Sequence, residues 1–133
     1  MSGLILKLRP GERILINGVV MENGDRRAKL NILTENANVL RLRDAIHPDE
    51  ANTPVRRVCY IAQMVLAGEA EPAKGRAQLL SGIEQLSQVF TDVDSRSVLS
   101  VATENVLAER FYPALKALRC LLAREQRLME RVG

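Results

Sequence analysis

The sequence predicts an α+β protein in which a five-stranded antiparallel β meander is followed by a bundle of about four α-helices. In the first 43 residues, apolar and polar side chains alternate in short runs, and turn-forming residues separate the runs. After residue 52 the apolar positions recur every three or four residues, which is the spacing of amphipathic helices. We therefore expect a basic β module over residues 1–46 and a helical module over residues 47–133.

The predicted strands are short, and tight turns separate them. They cover residues 4–9, 13–16, 19–22, 27–33 and 39–43. Asn17-Gly18 is the strongest two-residue hairpin signal, and Pro10-Gly11 and Asn23-Gly24 are typical of turns. So small a sheet buries little apolar surface by itself, and we expect a helix or a second copy of the chain to cover it.

Four helices are predicted from caps, breakers and apolar spacing. They begin at Pro54, near Pro72, after Asp92 or Asp94, and at about Pro113, and the last one continues to Arg131. Thr53 is a good N-cap, Pro54 suits the first helical position, and Gly68 is typical of a helix end. A break or bend is expected around residues 111–113, because Pro113 lacks a backbone donor.

Charge is distributed unevenly along the chain. The sequence holds 19 Lys and Arg residues and 16 Asp and Glu residues, for a net charge of +3. Residues 1–46 carry +3, residues 47–110 carry −3 and residues 111–133 carry +3. Any contact with nucleic acid is therefore expected at the two basic ends of the chain.

Three of the predicted strands each place two cations on their polar face. These six residues are Lys7, Arg9, Arg27, Lys29, Arg41 and Arg43. If the strands share one sheet, the six charges converge on one surface, which is an electrostatic footprint for RNA or DNA. A charged strand face is also often only a solvated face, so the charges alone leave both interpretations open. Arg56 and Arg57 either extend this surface or pair with Asp49 and Glu50.

The sequence predicts neither an enzyme nor a cofactor or metal site. The single histidine, His47, lies in a His-Pro pair and is predicted to be a turn residue. There is no CxxC or HExxH motif, and the glycines lie at turns rather than in a nucleotide-binding GxGxxG loop. With only two Phe, two Tyr and no Trp, base-stacking platforms are also disfavoured.

Cysteine usage and hydropathy predict a cytoplasmic protein. Cys59 and Cys120 lie in apolar helical patterns and are predicted to be reduced core thiols, a disulfide between them being the minor alternative. No apolar run approaches the roughly 18 residues that a membrane span needs. Met1-Ser2-Gly3 leads into a strand pattern rather than into a signal peptide.

The N-terminal third carries two short motifs that also occur in a known protein family. LILKLRPGE, from Leu4 to Glu12, is similar to LILTRRxGE, and RDAI, from Arg43 to Ile46, is similar to Arg-Glu-Glu-Ile. These motifs open and close the CsrA-type carbon-storage regulators, small dimeric β proteins that bind mRNA leaders, which this part of the chain resembles. Leu8 stands where that family has Arg, and Leu42 where it has His, so its RNA sequence preference is not carried over.

The CsrA resemblance implies roles for four residues. By the match, Leu6, Lys7 and Arg9 correspond to the RNA-contacting first strand, and Arg43 to the critical arginine of the last strand. In that family the two edge strands come from different subunits. The resemblance therefore implies a homodimer in which Lys7 and Arg9 lie beside Arg43 of the second copy.

Five segments carry a second resemblance, which is more specific and covers nearly the whole chain. They are LKLRPGERILINGVV, ENGDRRAKLNI, ANVLRLRDAIHPDEANTPVRRVCYIAQMVLAG, LLSGIEQLSQVFTDVDSR and FYPALKALRCLL. They are similar to FlbT, a flagellin post-transcriptional regulator of alphaproteobacteria. This resemblance implies binding to the 5′ untranslated region of flagellin mRNA, repression of translation, faster mRNA decay, and action together with the small flagellar protein FlaF.

Two functional hypotheses follow. In the first, the six strand cations grip the phosphates of the flagellin mRNA leader, Arg43 reads a base or loop, and the helices dock FlaF or flagellin. In the second, the protein is an adaptor or chaperone that binds flagellin or FlaF, and its effects on mRNA are indirect. A third interpretation is a structural subunit that only dimerises through its sheet.

Overall fold

The computed structural model describes residues 3–132 and shows an α+β fold in which five strands precede five α-helices, one more helix than predicted. The strands are β1 (Leu4–Leu8), β2 (Arg13–Ile16), β3 (Val19–Glu22), β4 (Ala28–Ile32) and β5 (Val39–Arg41). The helices are α1 (Pro54–Leu66), α2 (Pro72–Val89), α3 (Val93–Leu107), α4 (Phe111–Arg119) and α5 (Leu122–Val132). Two 3₁₀ turns, Leu42–Asp44 and Pro48–Glu50, connect β5 to α1. The predicted fold class is confirmed.

The strands form two antiparallel sheets, so the prediction of one five-stranded meander is wrong. One sheet pairs β1 with β4, and in the other β2 lies between β3 and β5. The loop between β3 and β4 makes hydrogen bonds to the turn that follows β1. The side-chain amide of Asn23 donates to the carbonyl oxygens of Arg9 and Arg26, both at 2.8 Å, and Gly11 N donates to Gly24 O at 2.9 Å. These bonds hold the loop against the turn after β1, and β4 pairs with β1 instead of β3.

The Asn17-Gly18 hairpin is confirmed. Both residues have positive φ, 48° and 84°, as the two central positions of a tight hairpin turn require. The turn sets the register in which Ile16 pairs with Val19. The result is an edge strand, β3, whose residues are all exposed.

Strand β5 is buried on both faces. Val39 lies in a small apolar cluster between the sheets, together with Leu6, Leu8 and Ile14, while Leu40 packs into the large core of the helices. The alternation of residues 39–43 predicts Leu40 on the buried face and Val39 on the solvent face. The assignment of Val39 is wrong, because the sheet of β1 and β4 covers its face of β5 while the helices cover the face of Leu40. The strand ends at Arg41, and Arg43 lies in the 3₁₀ turn that follows.

The predicted starts of the first three helices are confirmed. Thr53 caps α1 by accepting a hydrogen bond from Arg56 N at 3.2 Å, and Asp92 rather than Asp94 caps α3. Glu125 of α5 accepts a further bond from Val55 N at 2.8 Å. Because the first N–H groups of a helix have no intrahelical partner, this contact fastens α5 to the start of α1.

The last predicted helix is two helices, α4 and α5, separated at Cys120 and Leu121. Pro113 lies in the first turn of α4, where its missing N–H breaks no bond, so the chain breaks before Phe111. Both cysteines are free thiols. Cys59 is buried as predicted, and burial raises its pKa to about 12. Cys120 is exposed because the helix ends there, so its predicted burial is wrong.

Candidate nucleic-acid interface

Strands β1 and β4 bring four cations together as two adjacent cross-strand pairs. Their register places Lys7 opposite Lys29. Arg9 and Arg27 are the next residues beyond the ladder, where the same register would place them opposite each other. Because residues two apart on a strand share a face, Lys7 lies on the side of Arg9, and Lys29 on the side of Arg27. All four side chains are exposed.

Arg43 joins these four residues from the 3₁₀ turn that follows β5. A groove of about 470 Å³, here called the basic groove, is lined by Lys7, Leu8, Arg9, Arg27, Ala28, Lys29 and Arg43. The structure therefore brings five of the six strand cations to one surface, although the strands belong to two sheets. The CsrA resemblance implied that Arg43 of a second copy lies beside Lys7 and Arg9, and here Arg43 of the same chain does so.

Arg41 and Leu6 do not line the basic groove. The Arg41 side chain is only 13% exposed and donates from Nε to Glu12 Oε2 at 2.7 Å and from Nη2 to Glu12 Oε1 at 3.0 Å. Its Nη2 also donates to the carbonyl oxygen of Lys7. Leu6 is 2% exposed and lies in the small apolar cluster.

Sequence reasoning missed the contacts that Glu12 makes with residues around the basic groove. Its side chain is 4% exposed, and besides binding Arg41 it accepts a hydrogen bond from Arg9 N at 3.0 Å. The pKa of Glu12 is lowered from 4.5 to about 2, mainly by the hydrogen bonds from Arg41; burial opposes this shift, and the Arg9 N–H contributes to it. The sequence does contain one signal that could have pointed to Glu12: it is a single carboxylate in the turn between two basic segments.

The Lys7–Lys29 pair leads to a prediction about stability. Like charges directly opposite each other on paired strands repel, so Lys29→Glu should increase the free energy of unfolding by about 1 kcal/mol at low salt. The gain should shrink in about 1 M salt, where charges are screened beyond roughly 3 Å. Urea unfolding at the two salt concentrations measures both effects. Equal stability of the two proteins at low salt would show that the lysines do not face each other.

Four arginines outside the basic groove form hydrogen bonds to other parts of the chain. Arg56 and Arg57 both bond to Asn52, and neither forms an ion pair with Asp49 or Glu50 in the part of the chain described. Two cations of the last two helices contact distant parts of the chain. Arg119 donates to Asp44 O at 3.0 Å and Arg124 donates to Ser95 Oγ at 2.7 Å.

Neither a metal-binding cluster nor a membrane-spanning helix is found in residues 3–132. Within residues 3–132, no three His, Cys, Asp or Glu side chains lie close enough to hold a metal ion. None of the helices described is both long and apolar enough to cross a membrane. His47 forms the predicted turn, in which its Nδ1 accepts a bond from Asp49 N at 3.1 Å.

The family described as "Flagellar protein FlbT" matches residues 4–129 of this chain. The "Probable flagellum biosynthesis repressor protein FlbT" of Caulobacter sp. (strain K31) is 33% identical over 130 residues, which cover 98% of each chain. The "Flagellum biosynthesis repressor protein FlbT" of Caulobacter vibrioides (strain ATCC 19089 / CIP 103742 / CB 15) is 32% identical, over 98% of this chain and 89% of that one. A Brucella abortus (strain S19) relative is 33% identical, over 96% and 83%. No solved structure matches the chain. The resemblance found in the sequence is thus confirmed, and the chain belongs to the FlbT family.

Proposed function

We propose that this chain is a post-transcriptional regulator of flagellin synthesis. It binds the 5′ untranslated region of flagellin mRNA through the basic groove, represses translation and promotes mRNA decay during flagellum assembly. The names of the Caulobacter and Brucella relatives, which describe repressors of flagellum biosynthesis, support the regulatory role. The protein acts by binding and catalyses no reaction.

The observation that carries the proposal is the uncompensated charge of the two cross-strand pairs. Within residues 3–132, none of Lys7, Arg9, Arg27 and Lys29 forms an ion pair with a carboxylate. Like charges held side by side cost folding free energy. A phosphate backbone lying along the groove would relieve that cost and release its counterions.

Arg43 has a different place in the proposal. Its side chain is 39% exposed, and its Nε lies 3.8 Å from Glu12 Oε2 and 3.9 Å from Asp44 Oδ1, so two carboxylates flank one side of the guanidinium and the other side remains accessible. A planar guanidinium held in this way donates two parallel hydrogen bonds to a phosphate or to a base edge. We therefore propose that all five cations of the groove hold phosphates and that Arg43 also reads a base or a loop of the leader.

A titration of labelled leader RNA with the purified chain tests this function. If about five phosphates are neutralised, log K should fall with log salt at a slope of roughly −3 to −4, as for single strands. Fluorescence anisotropy at several salt concentrations measures the slope. Absence of binding at low salt would contradict direct RNA recognition and favour an adaptor or chaperone function.

The alternative function is a flagellar adaptor or chaperone that binds flagellin or FlaF, with indirect effects on mRNA. One observation favours it: a groove of about 390 Å³ between α2 and α5 has an almost wholly apolar lining. Its lining residues are Pro54, Leu86, Val89, Phe90, Glu125, Leu128 and Met129. Such a groove suits the apolar face of a partner helix. Tight binding to purified FlaF or flagellin by a chain that binds no RNA would establish this function instead.

We also propose that the chain forms a homodimer through the edge strand β3. Val19 and Val20 are 59% and 60% exposed, and no strand among residues 3–132 pairs with the outer edge of β3. A free, apolar edge strand is a template for pairing with another chain. Val20→Lys should therefore convert dimers to monomers, as measured by light scattering. A Kd of about 1 μM gives mostly dimer at a chain concentration of about 100 μM. A wild-type chain that is monomeric at this concentration would contradict the proposed homodimer.

A further inference from the structure

We infer that Glu12 is a positioning residue of the basic groove, so that this carboxylate strengthens the binding of a polyanion although it carries negative charge. The inference rests on the proposed RNA-binding function, which it deepens by naming the group that holds the cations in place. Glu12 itself is not expected to contact RNA, because its side chain is only 4% exposed.

The contacts of Glu12 reach two segments around the groove, the turn after β1 and the end of β5 with the 3₁₀ turn that follows it. Its carboxylate accepts from the backbone N–H of Arg9 at 3.0 Å, where β1 turns toward β2. It accepts two bonds from Arg41, at 2.7 and 3.0 Å, at the end of β5. It also lies 3.8 Å from Arg43 Nε in the 3₁₀ turn. One buried group thus contacts both the segment that carries Arg9 and the segment that carries Arg43.

These contacts matter because no strand ladder joins the two sheets among the residues described. Lys7 lies on the sheet of β1 and β4, whereas Arg41 ends a strand of the other sheet. Arg41, held by Glu12, donates from Nη2 to the carbonyl oxygen of Lys7 and so links one sheet to the other. The small apolar cluster packs the two sheets together, and the carboxylate of Glu12 adds the polar contacts that link the segment of Arg43 to the strand of Lys7 and Arg9.

The sign of a charge-removal experiment separates positioning from simple electrostatics. A carboxylate close to a bound polyanion repels it, so removing that charge without moving the cations should tighten binding. If Glu12 positions the groove, Glu12→Gln should weaken binding despite the same gain in net charge. Asp25→Asn is a matched control because Asp25 is exposed, lies in the loop between β3 and β4, and forms no ion pair in the described part of the chain.

The test is a titration of fluorescent leader RNA with the wild-type chain and three variants. We expect Glu12→Gln to weaken affinity by about tenfold, equivalent to the loss of one charge-assisted contact, and Asp25→Asn to bind equally or a few-fold tighter. Glu12→Asp, which keeps the charge on a shorter side chain, should lie between wild type and Glu12→Gln. If Glu12→Gln binds as tightly as Asp25→Asn, the inference is overturned.

A second measurement tests without RNA whether Glu12 holds Arg41 and Arg43 in place, and it also shows whether the variant is folded. In ¹⁵N spectra of the arginine side chains, the Nε–H signals of Arg41 and Arg43 should shift in Glu12→Gln and exchange faster with water, while the backbone amides of α1 to α5 keep their positions. An unchanged Arg43 signal would overturn the inference. If the wild-type chain binds no leader RNA, the proposed function fails, and these spectra still decide whether Glu12 places the two arginines.

Discussion

Replacing Lys7, Lys29 and Arg43 together with alanine is expected to weaken leader binding about a hundredfold at low salt. Each lost phosphate contact costs about 1 kcal/mol, and 1.4 kcal/mol corresponds to a factor of ten in affinity. The slope of log K against log salt should become shallower by about 2, because three fewer phosphates are neutralised. Fluorescence anisotropy at several salt concentrations measures both quantities.

The matched control removes three cations from the last two helices. Lys116, Arg127 and Arg131 are exposed and do not line the basic groove, and their replacement by alanine changes the net charge by the same amount. This variant should bind the leader within about threefold of wild type, since distant exposed charges are screened at physiological salt. Equal losses in the two triple variants would mean that only net charge matters and that the groove has no special role.

Acid should destabilise the fold through Glu12. The pKa of this carboxyl is about 2 in the folded chain, against an ordinary value of 4.5. A lowered pKa contributes stability that is present above pH 4.5 and is lost as the pH falls toward 2, because the unfolded chain takes up the proton first. The free energy of unfolding should fall by about 2 kcal/mol across this range, a value below full linkage because titration of the unfolded chain at pH 4.5 and of the folded chain at pH 2 is only half complete.

Urea unfolding at a series of pH values measures this effect, and two variants isolate it. Glu12→Gln should be less stable than wild type at pH 7 and should lose less stability between pH 4.5 and 2. Glu22 pairs with Arg13 on exposed side chains, so Glu22→Gln should keep the wild-type acid response. Identical acid profiles for wild type and Glu12→Gln would contradict the assignment of the low pKa to Glu12.

Local signals predicted much of the fold correctly. Asn17-Gly18 specifies a tight hairpin turn, Thr53 a helix start and Gly68 a helix end, and each of these depends on residues near it in sequence. The alternation in β1 also placed Leu6 and Leu8 inside and Lys7 outside, as the structure shows. Such features are encoded within a few residues and do not depend on distant partners.

The failures concern residues whose surroundings come from elsewhere in the chain. Val39 was expected at the surface, yet it is buried because β5 is covered on both faces. Arg41 was expected among the exposed cations, but Glu12, distant in sequence, binds it. The pairing of β4 with β1 follows from the hydrogen bonds of Asn23, which no strand periodicity reveals. Convergence of five cations could be expected from the pattern, whereas the carboxylate that links their segments could not.

The most direct test of the central claim is to map the RNA contact on the wild-type chain by backbone NMR with the flagellin leader. We predict that the amide shifts of β1, β4 and the 3₁₀ turn containing Arg43 change upon binding, and that those of α2 to α5 do not. Changes confined to the helices, or no changes at a concentration that saturates binding, would contradict the claim that the basic groove receives the RNA.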